Sequence, residues 1–356
     1  MVYSPRERIL AAIQLEVLDR IPADYWGTEE VTEILCRHLG CQSYLEMYDR
    51  LGIDGIIGVA PPYIGPRLPD LGPAAYADEW GMCYKRQVHP SGGIYWEQYH
   101  YPLAEAETVE ELDAYAWPQA EWYDYEALAS KCAQYPDRAV KVGYSALFYY
   151  HNKLRGLEQS LMDPLLRPDF THHLLRRLAD TFYTYHARCF EATRGLVQIT
   201  EVTDDFGSQT GLLISPAIFR TFYKPHLQRA IDLAKAFDLL VFHHDDGAIR
   251  PLIPELIDMG IDVLNPIQWR CPGMDPAELK DSFGDQICFH GGIDNQEVMP
   301  FGSPADVRAE VTDKLETLGR DGRGYIVAPC HNLQPNTPVE NILTLYYTAQ
   351  ELGRIQ

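Results

Sequence analysis

The sequence lacks several features that would each indicate a particular class of protein. It has no run of eighteen apolar residues, so no segment is expected to span a membrane. It has no basic block, and 30 Lys and Arg against 51 Asp and Glu give a net charge of −21, which argues against nucleic-acid or anionic-membrane partners. Its eight cysteines include no CxxC pair, and it has no glycine-rich phosphate-loop motif.

The remaining composition favours a soluble globular chain. The 356 residues are 46% apolar, enough for a sizeable core. The N-terminal stretch MVYSPRERILAAIQ carries charges where a signal peptide needs an apolar run, so we expect a cytoplasmic protein whose scattered cysteines are reduced. The sequence leaves the oligomeric state open, a homodimer included.

Short β-like runs alternate with helical patterns along most of the chain. We predict eight strands, at 21–25, 55–59, 139–144, 197–202, 239–243, 263–266, 287–289 and 325–328. Helix-like segments lie between most of them, and a first helix is predicted from a Ser4 cap and Pro5 to about residue 17. Repeated strand–helix units predict an α/β protein, a (β/α)8 TIM barrel, with its active site at the C-terminal ends of the strands.

One long segment, at about 61–118, does not follow this alternation. It is rich in Gly, Pro and aromatic residues, and SGGIYWEQYHYP alternates as a β-hairpin does. We interpret it as an excursion over the barrel mouth, within a single domain of residues 1–356. Its aromatic side chains, among them Tyr63, Tyr95 and Trp96, are expected to wall the pocket and exclude water.

Polar side chains gather where the last five predicted strands end. In chain order they are Glu201, Asp204, Asp205, His243, His244, Asp245, Asp246, Asn265, His290, Asp294, Cys330, His331 and Asn332. A structural explanation exists for each, since an Asp can cap the next helix and a lone Cys is usually an inert apolar side chain. Their recurrence at five strand ends nevertheless indicates a functional site at the barrel mouth.

A divalent metal ion is the sharpest hypothesis for this site. A site for an ion such as zinc needs three or four N, O or S ligands, and His244, Asp246 and Cys330 would supply them, with His331 as an alternative to Cys330. His244 and Asp246 are two residues apart, so their side chains point the same way from an extended strand. Glu201 or Asp205 would complete the set.

Five segments resemble the uroporphyrinogen decarboxylase superfamily, which includes the zinc-dependent methyltransferases that serve corrinoid proteins. They are ERILAAIQLEVLDRIPADYW, DDFGSQTGLLISPAIFRTFYKPHLQRAID, GAIRPLIPELIDMGIDVLNPIQ, GGIDNQEVMPFGSPADVRAEV and PCHNLQPNTPVENI. The last is the most specific. The resemblance implies a TIM barrel and a mouth lined by the strand-end residues, with Asp205, Glu201, His290 and His331 as catalytic candidates and Asp294, Asn332, Tyr63 and Trp96 as cofactor-binding candidates.

Two activities of the superfamily compete. The decarboxylases resemble one another in an Arg-rich motif after the first strand and an Asp after the second, whereas this chain has ADYWGTEEVTE and VAPPYIGP there. The methyltransferases resemble one another in H-x-C-G after strand five. This chain has His244-Asp245-Asp246-Gly247 there, so the His and the Gly match, and Asp246 takes the place of the Cys. The resemblance therefore implies metal-dependent methyl transfer to a thiol or hydroxyl substrate, with the corrinoid on a partner protein. A decarboxylase and a non-catalytic ligand-binding relative are the alternatives.

Overall fold

The computed structural model describes residues 3–88 and 93–355, and its centre is a curled parallel β-sheet. The strands are β1 (Ile56–Val59), β2 (Ala75–Ala77), β3 (Cys83–Val88), β4 (Ile94–His100), β5 (Ala139–Ala146), β6 (Ile199–Thr203), β7 (Leu240–His244), β8 (Val263–Asn265), β9 (Cys288–Ile293) and β10 (Tyr325–Pro329). Seven of them form one sheet in the order β1-β5-β6-β7-β8-β9-β10, and every neighbouring pair is parallel. This confirms the α/β class and seven of the eight predicted strands.

Helices connect the strands and cover the sheet. They are α1 (Pro5–Ile13), α2 (Glu29–Leu39), α3 (Tyr44–Leu51), α4 (Val109–Ala114), α5 (Tyr125–Cys132), α6 (Leu147–Arg155), α7 (Leu157–Leu166), α8 (Pro168–Ala192), α9 (Pro216–Ile218), α10 (Lys224–Ala236), α11 (Ile253–Met259), α12 (Pro276–Phe283), α13 (Val298–Phe301), α14 (Pro304–Thr317) and α15 (Val339–Leu352). Short 3-10 or π segments lie at Ala120–Trp122, Phe219–Tyr223 and Arg250–Leu252. No helix in the described ranges is both long and apolar enough to cross a membrane.

The strands are buried on both faces, with helices on one side and the interior of the curled sheet on the other. Every residue of β6, β9 and β10 is buried, as expected of a parallel sheet covered on both sides. Because the seven strands are parallel, their C-terminal ends lie at one rim of the sheet, which brings the side chains there together.

The first predicted strand, 21–25, is the one that does not form. Ala23 makes a single parallel bridge to Val327 of β10, and the Asp54 and Gly55 amides both donate to the Ala23 carbonyl. Pro22 has no N–H to donate to a β-ladder hydrogen bond, so the segment cannot continue as a regular strand. The segment lies between the two edge strands β10 and β1 and is hydrogen-bonded on both sides.

The first helix is correctly predicted at its start and too long at its end. Ser4 and Glu7 form a capping box, so each satisfies a backbone N–H of the other. The helix ends at Ile13 rather than about residue 17, because Leu15 has φ of 59°, in the left-handed region that an α-helix excludes.

The excursion at 61–118 folds as a three-stranded antiparallel sheet, β2-β3-β4, followed by α4. The predicted hairpin is confirmed in the pairing of β3 with β4, while Ser91 and Gly92 of its turn lie outside the described residues. The excursion is anchored on the helical layer by Trp80, whose ring centroid lies 4.8 Å from that of Tyr150 in α6 and 5.5 Å from that of Phe182 in α8.

Candidate functional site

The HHDDG stretch at the end of β7 divides its side chains between the interior and the mouth. His243 and Asp245 are fully buried: the His243 Nδ1–H donates to the Val202 carbonyl at 2.7 Å, and Asp245 accepts from the Gly207 amide. Burial lowers the pKa of His243 to about 4, so it is a neutral structural residue at neutral pH. His244 and Asp246 point the other way, as the alternation of an extended chain requires.

His244, Asp246 and Asp205 form the candidate metal site. One ligand atom of each lies within 4.8 Å of those of the other two, and these three residues are called the trio below. The His244 Nε2 atom lies 3.7 Å from Asp205 Oδ1 and 3.7 Å from Asp246 Oδ2. Burial alone lowers the pKa of His244, but the Asp246 and Asp205 carboxylates outweigh it, so the net shift is upward. The two carboxylates therefore favour positive charge at this position.

The two carboxylates of the trio are incompletely satisfied. The buried oxygens Asp205 Oδ1 and Asp246 Oδ1 have no hydrogen-bond partner among the described residues. Burial, and then repulsion from Asp246, raises the pKa of Asp205 despite the neighbouring His244. A buried anionic oxygen without a partner is costly, and a bound cation is the usual compensation.

A chain of hydrogen bonds behind His244 fixes how its ring is protonated. The Asp24 carboxylate can only accept, so it receives the Nε2–H of His290 (3.0 Å), and the His290 Nδ1 accepts from the Asn265 amide (2.7 Å). The Asn265 oxygen then accepts the Nδ1–H of His244 at 2.6 Å. With both rings neutral, the lone pair of His244 Nε2 faces Asp205 and Asp246, as a metal ligand requires.

His290 therefore positions His244 and lies away from the open mouth. Its side chain is completely buried, and the Trp26 ring packs over both imidazoles with centroid separations of 5.7 Å. Trp26 shields the chain of hydrogen bonds from solvent.

Cys330, expected as a ligand, does not belong to the trio, and Asp205 takes its place. The Cys330 thiol is buried and donates to the Ile267 carbonyl at 3.3 Å. Burial raises the pKa of this thiol, which disfavours the thiolate that a metal would need. His331, the alternative, is exposed at the mouth, and its ring centroid lies 6.4 Å from that of His244.

Glu201 faces a neighbouring cavity of about 450 Å³. It forms an ion pair with Lys141 of β5, whose ammonium group lies 4.9 Å from the centroid of the Phe242 ring. Tyr63 of the excursion lines the same cavity, as expected, and its hydroxyl donates to the Pro66 carbonyl. Part of the excursion thus forms a wall of the pocket next to the trio.

The other three cofactor-binding candidates lie apart from this cavity. Asp294 accepts from Arg270 Nε at 2.7 Å, and Asn332 borders a separate recess that Trp26 also lines. Trp96 lies on β4, where its ring packs edge-on against Tyr76. The structure therefore gives Asp294 and Trp96 structural partners, and their proposed roles stay predictions.

Sequence reasoning overlooked four residues of the site. Asp24 and Trp26 belong to the segment ADYW, whose only signal in the sequence is its lack of arginine, and Lys141 lies inside a predicted strand rather than at its end. Asn265 was recognised as a strand-end residue but was given no role. Its position opposite His244 in the β7–β8 register would have indicated the contact.

Comparisons with known proteins agree on a family and on a fold. The family model for uroporphyrinogen decarboxylase (URO-D) matches residues 144–352, more than half of the chain. Uroporphyrinogen decarboxylase 2, chloroplastic, of Arabidopsis thaliana is 26% identical over 190 residues, which are 52% of this chain and 44% of that protein. The uroporphyrinogen decarboxylase of Trichodesmium erythraeum is 26% identical over 191 residues, 53% of this chain and 49% of that protein. The chain thus matches about half the length of these relatives.

A solved structure matches almost the whole chain. A methyltransferase from Methanosarcina mazei superposes with a TM-score of 0.67 over 98% of this chain and 99% of that one, at 18% sequence identity. At that identity the likeness shows a shared fold alone.

Proposed function

Because the chain belongs to the uroporphyrinogen decarboxylase family, we propose that it is an enzyme of that family which catalyses metal-dependent methyl transfer between a corrinoid carried by a partner protein and a thiol or hydroxyl substrate. The observation that carries the proposal is the trio, which places two carboxylates and one oriented imidazole nitrogen together at the strand ends. We take the segment at 21–25 as the eighth strand position, which makes the fold a (β/α)8 barrel with the trio in its mouth.

The residues present fit a divalent ion. Asp205 Oδ1 and Asp246 Oδ2 each lie 3.7 Å from His244 Nε2, and Asp205 Oδ1 and Asp246 Oδ1 have no hydrogen-bond partner among the described residues, so the group needs positive charge. Two oxygen donors and one nitrogen donor leave coordination positions for a substrate, as catalytic zinc sites do. This donor set is harder than one containing a thiolate, so manganese, iron or cobalt would also bind, with zinc the ion we expect first.

Such an ion, when bound, supplies Lewis acidity that lowers the pKa of a thiol or hydroxyl. The residues of the chain supply the rest. Asn265 and His290 hold His244 in its ligand orientation, and Trp26 excludes water from that side. His331, exposed beside the trio, is placed to take the proton that the substrate loses.

Decarboxylation is the alternative that the family relatives favour, since both curated relatives described above are uroporphyrinogen decarboxylases. Their substrate carries many carboxylates, which need cationic partners. Among the described residues that line the 450 Å³ cavity, Lys141 alone is basic, and it is paired with Glu201. The cavity therefore suits a porphyrinogen poorly, and a decarboxylase would act on a different acid.

Metal analysis combined with a methyl-transfer assay tests the proposal. Protein purified without chelator is expected to carry at least about half an equivalent of a divalent metal and to demethylate free methylcobalamin in the presence of a thiol. His244→Ala should lose both properties, whereas His38→Ala, an exposed histidine on α2, should lose neither.

Two results would contradict the proposal. If the wild-type protein binds no metal even on titration, the trio is a hydrogen-bonding cradle and a metal-free decarboxylase becomes the better interpretation. If metal binds but neither methyl transfer nor decarboxylation is found, the non-catalytic ligand-binding alternative gains support.

A further inference from the structure

The cavity beside the trio has a wall made largely of aromatic rings. Seven of its lining side chains are aromatic: Tyr63, Trp80, Tyr123, Tyr144, Tyr150, Phe182 and Tyr185. They come from four separate parts of the chain, namely the excursion, the segment just before α5, the β5–α6 region and α8. A volume of about 450 Å³ is in the range of small-molecule sites.

The rings pack against one another in two groups. Trp80 lies 4.8 Å from Tyr150 between ring centroids, and Tyr123 lies 4.8 Å from Tyr185 and 6.0 Å from Tyr63. Their mutual orientations are tilted or edge-on, as aromatic clusters prefer. Aromatic rings in a cavity wall attract a cation that lies over their faces, where the quadrupole is negative.

Two carboxylates add negative charge to this wall. Glu201 is paired with Lys141, which leaves the charge of Glu79 uncompensated by any basic side chain that lines the cavity in the described part of the chain. Glu79 accepts the hydroxyl of Tyr123 at 2.8 Å and is half-buried. Aromatic rings together with a carboxylate in the same wall provide the chemistry that binds organic cations.

We propose that this cavity binds an alkylated ammonium group, as the cationic part of the substrate whose thiol or hydroxyl reaches the trio. The role as substrate rests on the proposed function, whereas cation binding does not. An anion would meet Glu79 with no free cation to oppose it, and a purely apolar ligand would bury Glu79 without compensation. The net charge of −21 also favours the approach of a cation.

Tyr144 connects this cavity to the trio. It lines the cavity together with Glu201, which it faces in the register of β5 and β6, and β6 leads directly into Asp205. A ligand that places its ammonium group among the rings would therefore extend past Tyr144 toward Asp205.

The test is calorimetric titration of the full-length protein with choline and with its uncharged isostere 3,3-dimethylbutan-1-ol. Cation–π and carboxylate attraction should make choline bind about five- to thirtyfold more tightly than the isostere. Glu79→Gln should remove most of that preference, while Glu97→Gln, an exposed glutamate of the same excursion, should keep it. Tyr63→Leu should weaken choline binding, and Tyr63→Phe, which keeps the ring, should retain it.

The proposal is overturned if the isostere binds as tightly as choline, if neither binds saturably, or if Glu79→Gln and Glu97→Gln behave alike. Titration repeated in the presence of EDTA separates this inference from the proposed function. Choline affinity that persists without metal supports the cavity even if methyl transfer fails. Methyl transfer to a neutral thiol without choline binding would support the proposed function alone.

Discussion

Replacing Asn265 by leucine should damage the candidate metal site without touching a metal ligand. Asn265 is completely buried, and its side chain joins His244 to His290 through hydrogen bonds of 2.6 and 2.7 Å. Leucine has nearly the same shape but neither accepts nor donates. The substitution would leave both imidazole Nδ1 atoms without a partner and would free the His244 ring to turn.

The size of the effect follows from those two contacts. Each buried polar group left unsatisfied costs about 1–3 kcal/mol, so with two such groups the free energy of unfolding of Asn265→Leu should fall by about 2–6 kcal/mol. Loss of a residue that orients a metal-binding histidine typically weakens metal affinity by about 10–100-fold. The variant should therefore be less stable and should also bind zinc more weakly.

Asn341→Leu is the matched control, because Asn341 is equally buried and donates to the Met299 and Gly302 carbonyls. Urea unfolding should show a comparable loss of stability for both variants, and zinc titration by calorimetry should show weakened binding for Asn265→Leu only. If Asn265→Leu binds zinc as tightly as Asn341→Leu does, the chain from Asp24 to His244 does not orient a metal ligand and the interpretation is refuted.

Three further expectations follow from other contacts. Asp246→Cys should tighten zinc relative to manganese, since sulfur is the softer ligand, and competition titration of the two ions would show no change if Asp246 lies outside the coordination sphere. Burial lowers the pKa of His186 to about 4, so the unfolded chain binds the extra proton and stability should fall as pH drops from about 6.5 to about 4; urea midpoints at pH 7 and pH 5 should differ less in His186→Gln than in the wild type. Arg155→Ala should cost about 3–5 kcal/mol, because it leaves the fully buried Asp163 without its guanidinium partner, whereas an unchanged urea midpoint would contradict a structural role.

The general position of the site was predictable because parallel strands share one direction. Once strands were recognised at 197–202 and 239–243, the side chains that follow them had to meet at one rim, and Asp205, His244 and Asp246 do so. The choice of the third ligand was not predictable. Whether Cys330 faces the mouth or the interior depends on the exact end of β10, and the thiol turns to the Ile267 carbonyl instead.

The first strand failed as a prediction for a reason that also explains its role. Apolar residues at 21–25 indicate a strand, but Pro22 prevents a regular ladder, and a side chain replaces part of the missing pairing. Asp24 Oδ1 accepts a hydrogen bond from the Ile56 amide at the start of β1, while Asp24 Oδ2 accepts a hydrogen bond from the Nε2–H of His290. Sequence periodicity carries no information about such a contact, because it depends on a carboxylate reaching residues 32 and 266 positions away.

The double use of Asp24 couples the edge of the sheet to the orientation of the metal-binding histidine. One oxygen holds the first segment to β1, and the other begins the chain of hydrogen bonds that ends at His244 Nε2. A metal ion that selects this orientation of His244 therefore also favours the arrangement in which Asp24 is fully bonded. Metal binding should for this reason stabilise the β10–β1 junction as well as the mouth, an effect that neither the trio alone nor the sheet alone would produce.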